Sequence, residues 1–70
     1  MKVHAFRVLE FLTDNDLDYG PIGNDPNFFW FIWNESDFFC ILKNYEVKIT
    51  TYYDDEVEAA LLQELSLALG

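Results

Sequence analysis

The chain has 70 residues, of which 51% are apolar and 19% aromatic, and its net charge is −9 at pH 7. This length allows a single domain, because two smaller pieces would be unable to bury a core without disulfides or metal. The apolar content excludes a disordered chain, and the charge opposes direct binding to nucleic acid, whose phosphates it repels.

The first predicted element is a helix over residues 3–13. Polar Arg7, Glu10 and Asp14 follow one another at spacings of three and then four residues among apolar neighbours, as on a helix with one exposed stripe. A strand is the alternative, because apolar residues also fall at alternate positions of this segment.

An acidic loop follows the first helix, with Asp14, Asp16 and Asp18 at alternate positions. The helix should end near Thr13 or Asp14, since aspartates beyond that point face the negative end of its dipole. The loop departs from an EF-hand calcium loop, because Tyr19 stands where the sharp turn requires glycine. In an extended segment the three carboxylates would lie on one face about 6–7 Å apart, as in part of a phosphate track.

Three strands are predicted next, and together they form an antiparallel meander. The runs FFWFIW (28–33) and FFCILK (38–43) flank a polar turn and make a hairpin. The alternating segment EVKITTYY (46–53) makes the third strand. Residues 17–22 offer a short fourth strand, which Pro21 restricts to the edge of the sheet.

The segment DDEVEAALLQELSLALG (54–70) predicts the second helix. Asp54 or Asp55 can cap its first turn, and Glu58 can complete a capping box. Its apolar stripe is expected to pack on the sheet and consists of Val57, Leu61, Leu65 and Ala68, with Ala60 and Leu69 beside them. The order of elements predicts a small α+β domain with helices on at least one face of the sheet, and a helix on each face is the alternative.

The strand FFWFIW raises the question of which side of the sheet is covered. The side chains of Phe28, Trp30 and Ile32 point to one face, and those of the residues between and after them point to the other. A two-layer domain buries only one of these sets. The other set needs a helix, a second copy of the chain or a partner protein to cover it.

No combination of residues typical of an active site is recognisable. His4 is the only histidine, and the only cysteine, Cys40, lies in the apolar run FFCIL. A glycine-rich phosphate loop, a zinc cluster and a nucleophile motif are all missing. A single cysteine in an apolar run predicts that the thiol of Cys40 is buried and that the protein lies in a reducing compartment. Without a signal peptide or a membrane-spanning run, we expect a non-enzymatic cytoplasmic protein that holds no cofactor and no metal.

The charge pattern predicts a protein partner with a basic surface. Acids group at residues 14–25, at Glu35 and Asp37, and at residues 54–58. Such a density of acids speeds docking onto positively charged protein sites, and the commonest of these are sites that hold nucleic acid. In size, acidity and aromatic content the chain is similar to inhibitors encoded by phages and mobile elements, among them nucleic-acid mimics and anti-CRISPR proteins, and to bacterial immunity proteins.

We therefore expect a small acidic inhibitor that occupies a basic, nucleic-acid-binding surface of a partner protein. Its candidate contact residues are Asp14, Asp16, Asp18, Tyr19, Asp25, Trp33, Glu35 and Asp37, with the two aromatic residues as anchors. The alternative is an interaction or assembly module, such as a homodimer formed through the aromatic sheet, in which the charge only keeps the protein soluble.

Overall fold

In the computed structural model, which describes residues 1–70, two helices lie against a five-stranded antiparallel sheet. The elements in chain order are β1 (Lys2–His4), α1 (Ala5–Asp14), β2 (Tyr19–Ile22), β3 (Asp25–Trp33), β4 (Ser36–Lys43), β5 (Glu46–Thr50) and α2 (Asp55–Leu69). The strand order is β1-β5-β4-β3-β2, so β4 is the central strand. The predicted α+β class and the helix towards each end are confirmed, whereas the sheet has five strands rather than three or four.

Strand β1 was not predicted from the sequence. Residues Lys2–His4 pair with β5 in antiparallel register. Helix α1 begins after them, at Ala5, because the imidazole of His4 accepts a hydrogen bond from the backbone amide of Phe6 at 3.2 Å and caps the helix. Pairing between distant parts of the chain leaves no mark on a local pattern of three residues, and so this strand was read as the start of the helix.

Helix α1 ends at Asp14, as predicted from the sequence. The carbonyl of Phe11 accepts hydrogen bonds from the backbone amide of Asn15 at 3.1 Å and from its side-chain amide at 2.9 Å, which closes the last turn. Asp16 then adopts a left-handed conformation with φ of 50°. Asp14, Asp16 and Asp18 therefore lie in the helix end and the loop after it, and the straight extended row is not formed.

Two tight turns fix the register of the three consecutive strands β3, β4 and β5. Asn34 and Glu35 have φ of 51° and 63°, and Asn44 and Tyr45 have φ of 52° and 66°. Two successive left-handed residues are the signature of a type I′ turn, whose twist matches that of the flanking strands. These turns confirm the predicted meander.

The strand boundaries differ from the predicted ones. Strand β3 begins at Asp25 rather than Phe28, because its first residues still pair with β2 beyond a bulge. Strand β5 ends at Thr50, so Tyr52 and Tyr53 lie outside the sheet. The chain leaves β5 early because it turns there into helix α2.

Both helices cover the same face of the sheet. The buried core consists of Val8, Phe11 and Leu12 from α1, Leu65 from α2, and Phe31, Phe38, Cys40, Val47 and Ile49 from the sheet. Cys40 is buried, as predicted, and its burial raises the pKa of the thiol from 9.0 to about 12. The alternative with a helix on each face is wrong, and one side of the sheet has no helix over it.

The buried side of α2 differs in part from the predicted stripe. The residues that reach the core are Leu61, Leu62, Leu65 and Leu69. Of the predicted stripe, Val57, Ala60 and Ala68 are exposed. The first turn of α2 follows the end of β5, and Val57 therefore has little of the sheet beneath it.

We expect Leu65→Ala to lower the free energy of unfolding by about 2–5 kcal/mol, because it leaves a cavity in the core. Leu67 is the matched control, since its side chain on the same helix is 77% exposed. Leu67→Ala should change the free energy of unfolding by less than about 0.5 kcal/mol. Urea unfolding followed by tryptophan fluorescence measures both, and equal losses would contradict the assignment of the buried side of α2.

Candidate functional site

We call the face of the sheet opposite the helices the open face. Residues paired in register on neighbouring strands share a face, and the pairs Phe28–Ile41 and Trp30–Phe39 of β3 and β4 both lie on the open face. Phe28 is 38% exposed and Ile41 is 42% exposed. These four residues form the apolar centre of the open face.

Two contacts extend the apolar centre to either side. The indole of Trp30 lies across Gly20 of β2, where an added Cβ would come within 2.8 Å of the ring. A glycine is therefore required for this close approach. On the other side, the ring of Tyr52, which is 84% exposed, packs on Phe39 with the ring centroids 4.3 Å apart. Aromatic rings thus extend from β2 to the segment that follows β5.

Three of the four Lys and Arg side chains of the protein lie on the open face. Lys2, Lys48 and Ile41 are neighbours in register across β1, β5 and β4, and Lys43 lies at the end of β4. They border a depression of about 390 Å³, which is lined by Lys2, Ile41, Lys43, Asn44, Glu46 and Lys48. We call Lys2, Lys43 and Lys48 the basic end of the open face.

The acidic end lies at the opposite end of β4, where β3 turns into β4. Asp37 is the register partner of Ile32, and the carbonyl of Asp18 accepts a hydrogen bond from the Ile32 amide at 2.9 Å. The two aspartates therefore flank Ile32, about 10 Å apart at two strand spacings. Glu35 lies in the adjoining turn. We call these three acids the acidic end. Asp37 and Lys43 thus lie towards opposite ends of β4 with the apolar centre between them. Lys48 and Lys2 lie beside Ile41 across the strands, and Glu46 pairs with Lys43.

The other predicted acidic contact residues divide between the two ends of the sheet. Asp14 and Asp16 are exposed and lead into Asp18, so they adjoin the acidic end. Asp25 begins β3 and lies at the far end of the sheet, close to the turn between β2 and β3. Asp18, Glu35 and Asp37 thus lie at one end of the sheet, Asp14 and Asp16 belong to the chain segment that leads to it, and Asp25 lies at the other end.

Both aromatic residues that were predicted as anchors lie on the helix side of the sheet. The ring of Trp33 packs against Phe11 and Phe38, with both centroid distances at 6.1 Å, and it is half-buried at the margin of the core. Tyr19 is 60% exposed and lines an apolar groove of about 400 Å³ between α1 and the β2–β3 hairpin, together with Leu9. The position of Trp33 favours a role in core packing.

The basic end was not predicted from the sequence. Lys2, Lys43 and Lys48 belong to three different strands, and only the pairing of β1, β5 and β4 brings them together. The one local signal was the alternation in β5, which placed Lys48 on the exposed face of its strand. Lys43 is brought near Lys48 by the β4–β5 hairpin, whereas the position of Lys2 depends on the pairing of β1, which had no local signal.

The remaining observations do not assign a reaction. No three His, Cys, Asp or Glu side chains converge in an arrangement that could hold a metal ion. Neither helix has the length and apolar character that crossing a membrane requires. Comparison of the chain with protein-family models, curated proteins and solved structures found no match. Function is therefore inferred from the geometry of the open face.

Glu58 holds the start of α2 against the end of β5. Its carboxylate accepts hydrogen bonds from the Thr50 hydroxyl at 2.6 Å and from the Thr51 amide at 3.3 Å. These hydrogen bonds lower the pKa of Glu58 from its ordinary value of 4.5. Glu58 therefore does not complete the predicted capping box. Asp54 caps the helix alone, accepting a hydrogen bond from the Val57 amide at 3.0 Å.

We expect Glu58→Gln to lower the melting temperature at neutral pH, because the neutral amide is a weaker acceptor than the carboxylate. Since the pKa of Glu58 is lower in the folded than in the unfolded protein, the carboxylate stabilises the fold above its unfolded-state pKa. This stabilisation is lost as the pH falls through the folded-state pKa. The difference in melting temperature should therefore shrink on acidification, as circular dichroism can measure.

Glu56→Gln is the matched control for this measurement, because it removes an exposed acid from the same helical turn. The contrary result is a difference in melting temperature between wild type and Glu58→Gln that stays constant over the whole acidic range. That result would show that the loss of the hydrogen-bonded carboxylate does not cause the difference.

Proposed function

We propose that this chain is a non-enzymatic protein-interaction module that docks through its open face. The observation that carries the proposal is the packing of both helices on one face, which leaves Phe28, Trp30, Phe39 and Ile41 on the face that has no helix over it. Contiguous exposed apolar patches are uncommon on monomeric proteins and mark interaction sites. Aromatic residues are also the type enriched in the buried centres of interfaces.

The surroundings of the apolar centre favour a protein over a small molecule. Small-molecule sites are concave cavities that enclose their ligand, whereas the apolar centre lies on the exterior of a sheet. The depression at the basic end is lined by charged and polar side chains and by one apolar residue, Ile41. An apolar centre with charged groups around it is the anatomy of a protein–protein interface.

A photoreactive residue in place of Ile41 tests the proposal directly. Because Ile41 is exposed at the apolar centre, irradiation in cell extract should give a covalent adduct with a protein that mass spectrometry can identify. The same photoreactive residue in place of Leu67, which is more exposed but lies on α2, is the control and should give none. Equal adducts from both positions, or no adduct from position 41, would refute docking through the open face.

A second candidate function is an inhibitor that occupies a basic, nucleic-acid-binding surface of a partner protein. The arrangement of the acids favours it, since Asp14 and Asp16 precede the acidic end in the chain, whereas Lys43 lies at the opposite end of β4. An acidic surface steers association with a basic protein and raises the association rate. In this proposal the acidic loop contacts the partner.

Neutralising the loop tests the second candidate. The triple variant Asp14→Asn, Asp16→Asn and Asp18→Asn should associate about tenfold more slowly with an immobilised arginine-rich peptide at low salt, and the salt dependence should flatten. Its melting temperature should change little, because acids at a helix C-terminus do not stabilise the helix. Surface plasmon resonance over a salt series measures the rates.

The control for this test is the triple variant Glu10→Gln, Glu56→Gln and Glu64→Gln, which removes the same charge from exposed positions on the helices. If both triple variants slow association equally, only the net charge matters and the loop has no specific role.

A further inference from the structure

The open-face residues of the central strand are arranged so that the strand complements itself. From Asp37 to Lys43, every second residue of β4 points to the open face, in the order acid, aromatic, aliphatic, base: Asp37, Phe39, Ile41 and Lys43. Reversing the direction of the strand places the acid over the base and the aromatic residue over the aliphatic one. Two-fold symmetric interfaces require this property, because each residue of a pair must contact its counterpart in both directions.

We propose that the open face is covered by a second copy of this chain, with the two β4 strands crossing face to face in opposite directions. This inference rests on the proposed docking through the open face and names the partner. In such a dimer Asp37 of each copy lies over Lys43 of the other, and Phe39 lies over Ile41. On β3 the same symmetry brings Trp30 over Phe28, so the apolar centre is covered completely.

The charges select this orientation over its alternative. Two sheets can meet face to face about a two-fold axis that runs either across the strands or along them. An axis along the strands would place the two acidic ends over each other, and like charges in an interface are unfavourable. An axis across the strands places each strand over its own counterpart, so that Asp37 of each copy meets Lys43 of the other. Facing sheets cross at about 30°, and the long side chain of Lys43 can span the resulting offset.

The size of the face predicts a weak dimer. The five strands contain 29 residues in all, which at about 3.3 Å along and about 4.8 Å across the strands give roughly 450 Å² on each copy. The total of about 900 Å² lies below the roughly 1,200 Å² of stable interfaces and is typical of weak, transient ones. Each copy also has a net charge of −9, and salt at about 0.1 M screens the resulting repulsion beyond about 10 Å. We therefore expect dissociation constants of about 10–100 µM at moderate salt.

A charge exchange tests the orientation as well as the dimer. In Asp37→Lys, lysine faces Lys43 of the other copy, and sedimentation equilibrium should show dimerisation weakened by about tenfold. Glu64→Lys makes the same change in net charge on an exposed position of α2 and should leave dimerisation as strong as in wild type or stronger. The double variant Asp37→Lys and Lys43→Asp has the net charge of the wild type and should restore its dissociation constant to within about threefold.

Four results would overturn the inference. Wild type that remains monomeric at about 1 mM would refute the dimer, and a double variant as weak as Asp37→Lys would refute the orientation. A monomeric wild type whose tryptophan fluorescence is quenched by single-stranded oligonucleotide, but not after Lys43→Asp, would assign the open face to nucleic acid. If photocrosslinking from position 41 gave only adducts with other proteins while wild type stayed monomeric, docking through the open face would stand and the second copy would be excluded.

Discussion

The ring of Phe11 on α1 packs against Phe31 of the sheet, which stacks on Phe38, and the rest of the structure depends on this contact. Phe11 meets Phe31 edge-on with the ring centroids 6.4 Å apart, and Phe31 stacks on Phe38 at 5.1 Å. Both sheet residues are fully buried in a protein that buries only 11 of its 70 residues. Aromatic side chains bury more surface area than other side chains do. A small domain buries little surface in total, and its stability therefore depends strongly on them.

The same contact decides which face of the sheet stays open. Because side chains alternate along a strand, burying Phe31 and Phe38 under α1 sends their neighbours Trp30 and Phe39 to the opposite face. A shift of one residue would exchange the two sets. The type I′ turn at residues 34–35 opposes such a shift, since it fixes the pairing of β3 with β4. The open face is thus a consequence of a core that has been built on one side only.

The charge of the molecule acts differently at long and at short range. A net charge of −9 favours a basic partner and makes copies of the chain repel each other at a distance. On the open face, however, Asp37 and Lys43 lie towards opposite ends of β4, so that these residues attract each other when two copies meet in opposite directions. The two proposals are compatible, because in such a dimer Asp14 and Asp16 remain outside the interface at opposite extremes. Both acidic loops would then be accessible to a basic protein.

The sequence by itself determined the elements that have local signals. These are the helix that ends at Asp14, the two aromatic strands of the hairpin, the Asp54-capped helix α2 and the acidic loop. Each follows from periodicity, capping or turn chemistry within about 15 residues of chain. The sequence also determined that neighbouring residues of FFWFIW lie on opposite faces, and hence that aromatic side chains would remain to be covered.

The tertiary structure decided what depends on pairing between distant residues. Residues Lys2–His4 form strand β1 because they pair with the free edge of β5. That pairing places Lys2 beside Lys48. Periodicity alone was unable to tell which set of FFWFIW is buried, since both sets are equally apolar and only the docking of α1 and α2 distinguishes them. For the same reason Trp33 lies at the margin of the core while Trp30 lies on the open face. A pattern with period two assigns residues to faces, and the packing of the helices assigns the faces to core or surface.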